Sequence, residues 1–545
     1  MRRSTRRARN VKPDLGRIKY ESSDSELDSK EDVLDSKDFK VEELEVDSKN
    51  LKGDLKNVKA DPDSNLSFAD RVAKSRHDTG ASVSDFDFNE GRVRFLTEAQ
   101  EVAKDSTAIL YWMQRDQRVF DNWSLLYAQK LAIKKKLPMI VVFCFHDRCD
   151  GPNATLRTFN FMVSGLEEVQ SDCRSKNINF DVLKGLPGDV IPRYVVNQRI
   201  GAVVTDFYPI RESTAWVKAV KDKLPPDVPL AEVDAHNIVP AWILHEKQVY
   251  QARQLRTKFA EHFPEFLTNF PDVMYHPHSF LAKTEKVDWK YLMQDKKIDR
   301  SVDDVPGVHG GGKAALAALE LFIKNSLKDY EDYKNDPARD VSPYLSHYFH
   351  FGHLSSQRAF FEVQKFVHNR RYEASVSGFY EEAVVRKEMS DNYCLYNDKY
   401  DCLEGAYEWA ISSLDAHRRD KRDYLYSEED IESATTHDDL FNAATKQLKT
   451  EGRMHRYMKM YWPKKILEWT PSPEKAIAIS NRLLNKYAYD GRDPDSYLAV
   501  MWAIGGLHDR PWAGRRVIGK IRCMMLEGCE KKFDVAAYVD RYSGV

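Results

Sequence analysis

Between residues 106 and 236 the apolar pattern switches period repeatedly. "AILYWM" (108–113), "PMIVVFCF" (138–145), "INFDVLKG" (178–185), "GAVVTDF" (201–207) and "LAEVDA" (230–235) are runs of strand length. Between them, "NWSLLYAQKLAIKKK" and "ATLRTFNFMVSGLEEVQSDC" carry apolar residues at helical spacing. Strand and helix in alternation leave few folds: the strands pair in parallel and helices cover the faces, giving an α/β doubly wound sheet. Such sheets take ligands beyond the carboxyl ends of their strands. The charged turn after the first strand, with Arg115, Asp116, Gln117 and Arg118, is expected there. No G-x-G-x-x-G follows that strand, so the usual dinucleotide fingerprint is absent.

From residue 311 onward the pattern is almost wholly helical, in "GGKAALAALELFIKNSLKDY", "SSQRAFFEVQKFV", "GFYEEAVVRKEMSDNYCLY" and "PEKAIAISNRLLNKY". The expected order is therefore a charged tail over 1–90, an α/β domain over 91–236, a connector over 237–310 and a larger all-helical domain over 311–545. The tail mixes Asp, Glu, Ser and Lys with few large apolar residues, a composition that cannot offset chain entropy and predicts disorder. Its basic tip, "RRSTRRAR", is expected to act as a nuclear-import patch, with mitochondrion or cytoplasm as further locations. A formal net charge of -2 means that any polyanion-binding surface is local. The seven cysteines form no C-x-x-C pair and no zinc spacing. No stretch approaches the roughly 20 apolar residues that span a bilayer.

Three later stretches carry candidate chemistry. "NDPARDVSPYLSHYFHFGHLSSQ" (335–357) places hydroxyls at a helix entry, suited to phosphate oxygens. In "GFYEEAVVRKEMSDNY", Glu381 and Glu382 precede Arg386 and Lys387, as in ion pairing on a solvated helix face. "KTEGRMHRYMKMYWPKKILEWT" (449–470) interleaves Arg453, Arg456, Lys459, Lys464 and Lys465 with Tyr457, Tyr461, Trp462 and Trp469. A basic face crossed by aromatics suits a polyanion with exposed bases. Arg510, Arg515, Arg516, Lys520 and Arg522 extend the basic character.

These stretches together resemble the class II DNA photolyases, light-driven enzymes that split cyclobutane pyrimidine dimers. The similarity lies in "YWMQRDQRVFDNWSLLYA", "HYFHFGHLSSQR", "EEAVVRKEMSDNY", "MHRYMKMYW", "KKILEWT", "DGRDP" and "FDVAAYV", in that order over residues 95–542. The resemblance implies bent FAD in the helical domain, flanked at its phosphates by Tyr330, Ser342, Leu345 and Ser346. It implies an Asp490–Lys459 pair at the flavin ring. A protonated Glu382 would lie between flavin and dimer and stabilise the dimer's radical anion. Trp462 and Trp469 would relay electrons. Arg386, Met460, Trp502, Arg510, Arg515 and Arg522 would contact DNA. The implied partner is double-stranded DNA containing dimers, bound by a monomer with no membrane. The first domain leaves room for a second, antenna chromophore. A signalling flavoprotein of cryptochrome type without repair is the alternative.

The chain departs from the family pattern at several positions. Lys459 stands where Arg is usual, which keeps the charge and loses the planar fork. Phe441 stands at a relay position usually held by Trp, and is much harder to oxidise. Leu484 replaces an Asn that usually faces the flavin, and the adjacent Asn485 is expected to point elsewhere. His347 replaces a proline, and Pro343 interrupts the hydroxyl-rich stretch. Pro463 is expected to kink or restart the tryptophan helix.

Overall fold

The computed structural model describes residues 66–544, apart from 80, 150, 281–285, 296 and 340. The expected tail up to residue 65 lies outside the described residues. Its last part does not behave as tail: Phe68–Thr79 is a helix that packs on the helix Gly312–Asn325. Val72, Val83 and Phe88 are buried there.

The sheet has six strands: β1 (Val93–Phe95), β2 (Ala108–Met113), β3 (Met139–Phe145), β4 (Asn179–Lys184), β5 (Ile200–Asp206) and β6 (Leu230–Val233). They lie in the order β1-β6-β5-β2-β3-β4. All neighbours pair in parallel except β1, which runs antiparallel to β6 at the edge. Strands β2, β3 and β5 are buried along their whole length, and β2 and β3 accordingly read as unbroken apolar runs. The intervening helices are α1 (Trp123–Lys135), α2 (Leu156–Ser175), α3 (Pro187–Asn197) and α4 (Arg211–Lys221). Asn122 starts α1 by accepting from the Leu125 N–H at 3.1 Å.

Chain order reverses between β2 and β5, so the carboxyl ends of these strands make the crevice where such sheets take ligands. Here the crevice is filled by the protein itself. Arg115 forms a two-pronged ion pair with Asp391 at 2.9 and 3.0 Å, and approaches Asp493 at 3.6 Å. Arg118 donates to the carbonyls of Gly352 (2.9 Å) and Ala235 (2.8 Å). Asp121 takes two guanidinium bonds from Arg358, both 2.9 Å. Gly352 has φ +63, and a Cβ there would meet the Asp116 Cα at 2.4 Å. The charged turn thus locks the sheet to the helical part.

In the helical part, α5 (Glu373–Tyr380) runs into a π-helical segment, Glu381–Arg386, and on into α6 (Lys387–Tyr396). Next come α7 (Asp439–Glu451), α8 (Arg456–Trp469), α9 (Pro473–Tyr487) and α10 (Pro494–Gly505). Helix α8 packs against α7, α9 and α10. From Met458 onward it is buried on nearly every side, as a central helix must be. Pro463 lies inside α8 without ending it, so the expected restart does not occur. Packing on several faces holds the helix where one backbone bond is missing.

Candidate active site

Helix α8 gathers most of the residues singled out in the sequence. Its first turn carries Arg456, whose guanidinium pairs with the Glu382 carboxylate. One turn later the Lys459 Nζ donates to the Asp490 carboxylate at 2.7 Å, with only 11% and 6% of the two side chains exposed. Burial alone would lower the lysine and raise the acid. Each charge more than offsets this for the other, so Lys459 is held above and Asp490 below its ordinary range. Ser346 lies near enough to help lower Asp490. The second carboxylate oxygen of Asp490, Oδ1, is buried without a hydrogen-bond partner.

The loop that positions Asp490 is built for close approach. Gly491 lies against the end of α9, where a Cβ would meet the Leu484 carbonyl oxygen at 2.5 Å. Two residues on, Asp493 caps α10 by accepting from the Asp495 N–H at 2.9 Å, with Pro494 at the first helical position. Leu484 is buried, and the Asn485 Oδ1 accepts from the Arg492 N–H at 2.9 Å.

The two glutamates differ. Glu381 is locked by Arg256 (2.9 and 3.0 Å) and Arg386 (2.8 Å). Glu382 faces Arg456 instead, and Tyr330 lies close enough for Glu382 to help burial push its phenol up. The reading of this stretch as a solvated ion-pair face is therefore corrected. Lys387 is buried and donates to the His236 carbonyl and to Asn237 Oδ1, both at 3.2 Å. Glu382 is paired with a guanidinium and not enclosed by apolar side chains alone.

Behind Lys459 runs an aromatic series. Trp462 is fully buried, and its indole N–H donates to the Thr445 hydroxyl at 2.8 Å. Phe441 stacks on Trp462, with centroids 5.8 Å apart and planes at 7°. Trp469 meets Phe441 edge-on at 5.0 Å. Phe441 thus lies between the two tryptophans. Trp469 borders a cleft of about 1400 Å³ lined also by Lys465, Arg515 and Arg516. Glu382, Lys459 and Asp490 are not among the cleft's lining residues.

The remaining sequence candidates spread over the rim. Trp502 is half-buried beneath the Arg386 guanidinium, 5.2 Å from its ring centre. Met460 is half-buried and Arg515 is exposed. Arg510 and Arg522 lie 5.5 and 5.1 Å from the Trp512 ring centre. Arg516 is paired with Asp423 at 2.6 Å. Near the helix Ser346–His350, Leu345 is buried, Ser342 half-buried and Ser346 exposed. Arg456, the partner of Glu382, is visible in the sequence only as one cation among many in "MHRYMKMYW".

The DNA photolyase family model matches residues 109–275. A deoxyribodipyrimidine photo-lyase of Potorous tridactylus is 48% identical over 472 residues, covering 87% of this chain and 88% of that protein. The chain belongs to the DNA photolyase family. Another photolyase, the deoxyribodipyrimidine photo-lyase of Oryza sativa subsp. japonica, is 40% identical over 80% of this chain and 87% of its own length. Among solved structures, a bacterial class III photolyase from Agrobacterium tumefaciens aligns with a TM-score of 0.62 over 81% of this chain and 87% of that one. At 18% identity that likeness shows the photolyase fold alone.

Proposed function

We propose that this chain repairs cyclobutane pyrimidine dimers in DNA, using light and FAD. The observation that carries the reading is the convergence on α8 of the buried Lys459–Asp490 pair, the Arg456–Glu382 pair and Trp462. The site's chemistry fits a flavin: a fixed cation, and a buried carboxylate oxygen, Asp490 Oδ1, with no protein donor of its own. Such an oxygen needs a donor from a bound group. Tyr330, Ser342, Leu345, Ser346, Lys459 and Asp490 would hold FAD, which when bound supplies the light-excited electron donor.

The residues of the chain then divide the remaining work. Lys459 keeps a permanent positive charge at the ring, with Asp490 fixing its position. Arg456, held in place by its ion pair with Glu382, presents a preorganised cation where negative charge develops on the dimer, a placement that costs no reorganisation during the reaction. Met460, Trp502 and Arg386 offer apolar, aromatic and cationic contacts to a flipped dimer. Arg510, Arg515 and Arg522 neutralise phosphates, so DNA binding weakens as salt rises. Trp462 and Trp469 are the oxidisable side chains behind the site.

On the sequence alone we also propose a second, antenna chromophore for the N-terminal domain and, from the basic tip, a nuclear location. Purified protein should be coloured, release FAD on denaturation, and restore dimer-containing DNA under near-ultraviolet or blue light but not in darkness. Colourless protein that cannot be reconstituted with FAD overturns the reading. Protein that holds FAD without repairing supports the signalling alternative.

A further inference from the structure

We propose that the open face of Tyr250 is a stacking platform for an unpaired nucleobase of dimer-containing DNA, an inference that rests on the repair reading above. Tyr250 lies outside the helical part, in the connector just before the helix Ala252–Phe266. Its ring is 56% exposed. Isolated exposed aromatics are ordinary. Tyr250 differs because it is held flat: it stacks on Tyr407 with centroids 4.1 Å apart and planes at 5°. Tyr407 is buried. One face of Tyr250 is therefore covered, and its orientation is set before any ligand arrives. A platform ordered in advance avoids the entropy cost of ordering on binding.

The place also points to DNA. The Tyr250 carbonyl accepts from the His508 Nδ1 at 3.0 Å. Burial holds the His508 ring well below its ordinary pKa, at about 4, so the ring is neutral and its Nδ1–H is the donor. The His508 ring meets Trp502 edge-on at 6.0 Å, and Trp502 carries the Arg386 guanidinium. His508 is two residues before Arg510. Tyr250 thus continues the Trp502–His508 edge of the proposed lesion site. Exposed Lys247 and Arg253 flank it in sequence, and exposed Arg510 follows His508. Flipping a dimer out of the duplex leaves bases without their pairing partners. A fixed aromatic face beside cations is the chemistry that holds such a base without reading its identity.

The test compares Tyr250→Ala, Tyr250→Phe and Tyr250→Trp with the parent, all as full-length protein with FAD content measured by absorbance. Anisotropy gives Kd for a labelled duplex with one cyclobutane dimer and for the same duplex intact, over a range of salt. Tyr250→Ala should weaken binding to the dimer duplex by roughly ten-fold and leave intact-duplex binding unchanged. The slope of log Kd against log salt should stay the same, because the ring carries no charge. The Phe and Trp variants should bind like the parent. Parent-like binding by the Ala variant, equal losses on both duplexes, or a Phe variant as weak as the Ala variant would each overturn the platform. Failure of the parent itself to prefer the dimer duplex would instead overturn the repair reading, and the platform with it.

Discussion

At single residues, the decisive contrast is between two adjacent acids. Glu381 joins Arg256 and Arg386 in a nearly buried cluster, whereas Glu382 faces Arg456 and Tyr330. Removing Glu381 strands two guanidinium groups, so Glu381→Ala should cost about 3 kcal/mol of stability, read as a lower Tm with repair per photon retained. Glu382→Ala should keep Tm and FAD yet reduce repair per absorbed photon several-fold; equal behaviour of the two variants would count against the site. Phe441 gives a second residue-scale test. It touches both Trp462 and Trp469. Phe441→Trp should speed flavin photoreduction in the presence of an external reductant several-fold, followed by flavin absorbance under steady light. An unchanged rate would mean that electrons do not pass through position 441. Of these features, the Glu382 role and the Lys459–Asp490 pair are legible only through family resemblance. Composition around Glu381 and Glu382 reads equally well as a solvated face, because periodicity does not reveal that Arg256 lies 125 residues away in sequence.

At the level of elements, legibility follows burial. Strands β2, β3, β5 and β6 stand out because fully buried strands need apolar residues on both faces. β1, three half-buried residues at the sheet edge, leaves no such trace. The helix Phe68–Thr79 reads as tail because only scattered apolar residues, with Val72 fully buried, tie "FADRVAKSRHDT" to the core. Helix α8 is legible in position but not in continuity. Pro463 lacks the N–H that would bond the Lys459 carbonyl, yet the helix runs through it because neighbouring helices pack around it. Pro463→Ala restores that bond and removes ring atoms from a packed site. The net effect should be a gain of about 1 kcal/mol, measured by urea unfolding. A loss would show that the proline ring's packing outweighs the missing bond.

For the molecule as a whole, the sheet and the helical part are joined by buried charge, not by apolar surface alone. Arg115, Asp391, Asp493 and His350 form one connected group, and Lys387 and Glu388 on α6 reach the segment His236–Ile238. Sequence patterns place such charges on surfaces, so this junction reads in the sequence as a ligand-binding turn. The junction has a pH consequence. Glu388 accepts from the Ile238 N–H at 2.6 Å, and its other oxygen is buried without a partner. Burial, aided by Asp234 and Asp391 and opposed by Lys387 and the Ile238 N–H, raises its pKa from 4.5 to about 8. The folded state therefore keeps a proton that the unfolded chain releases above 4.5. The sign follows: the folded state binds more protons over this window, so stability falls as pH rises from 4.5 to about 8. Glu388→Gln keeps the acceptor for Ile238 and removes the titration. Its stability gain over the parent should be small near pH 4.5 and grow by on the order of 1 kcal/mol per pH unit. It should level off above about 8. Thermal unfolding of both proteins at several pH values measures it. A difference that stays constant across the window would mean that Glu388 is ionised in the folded protein, with Lys387 as its stable counter-charge.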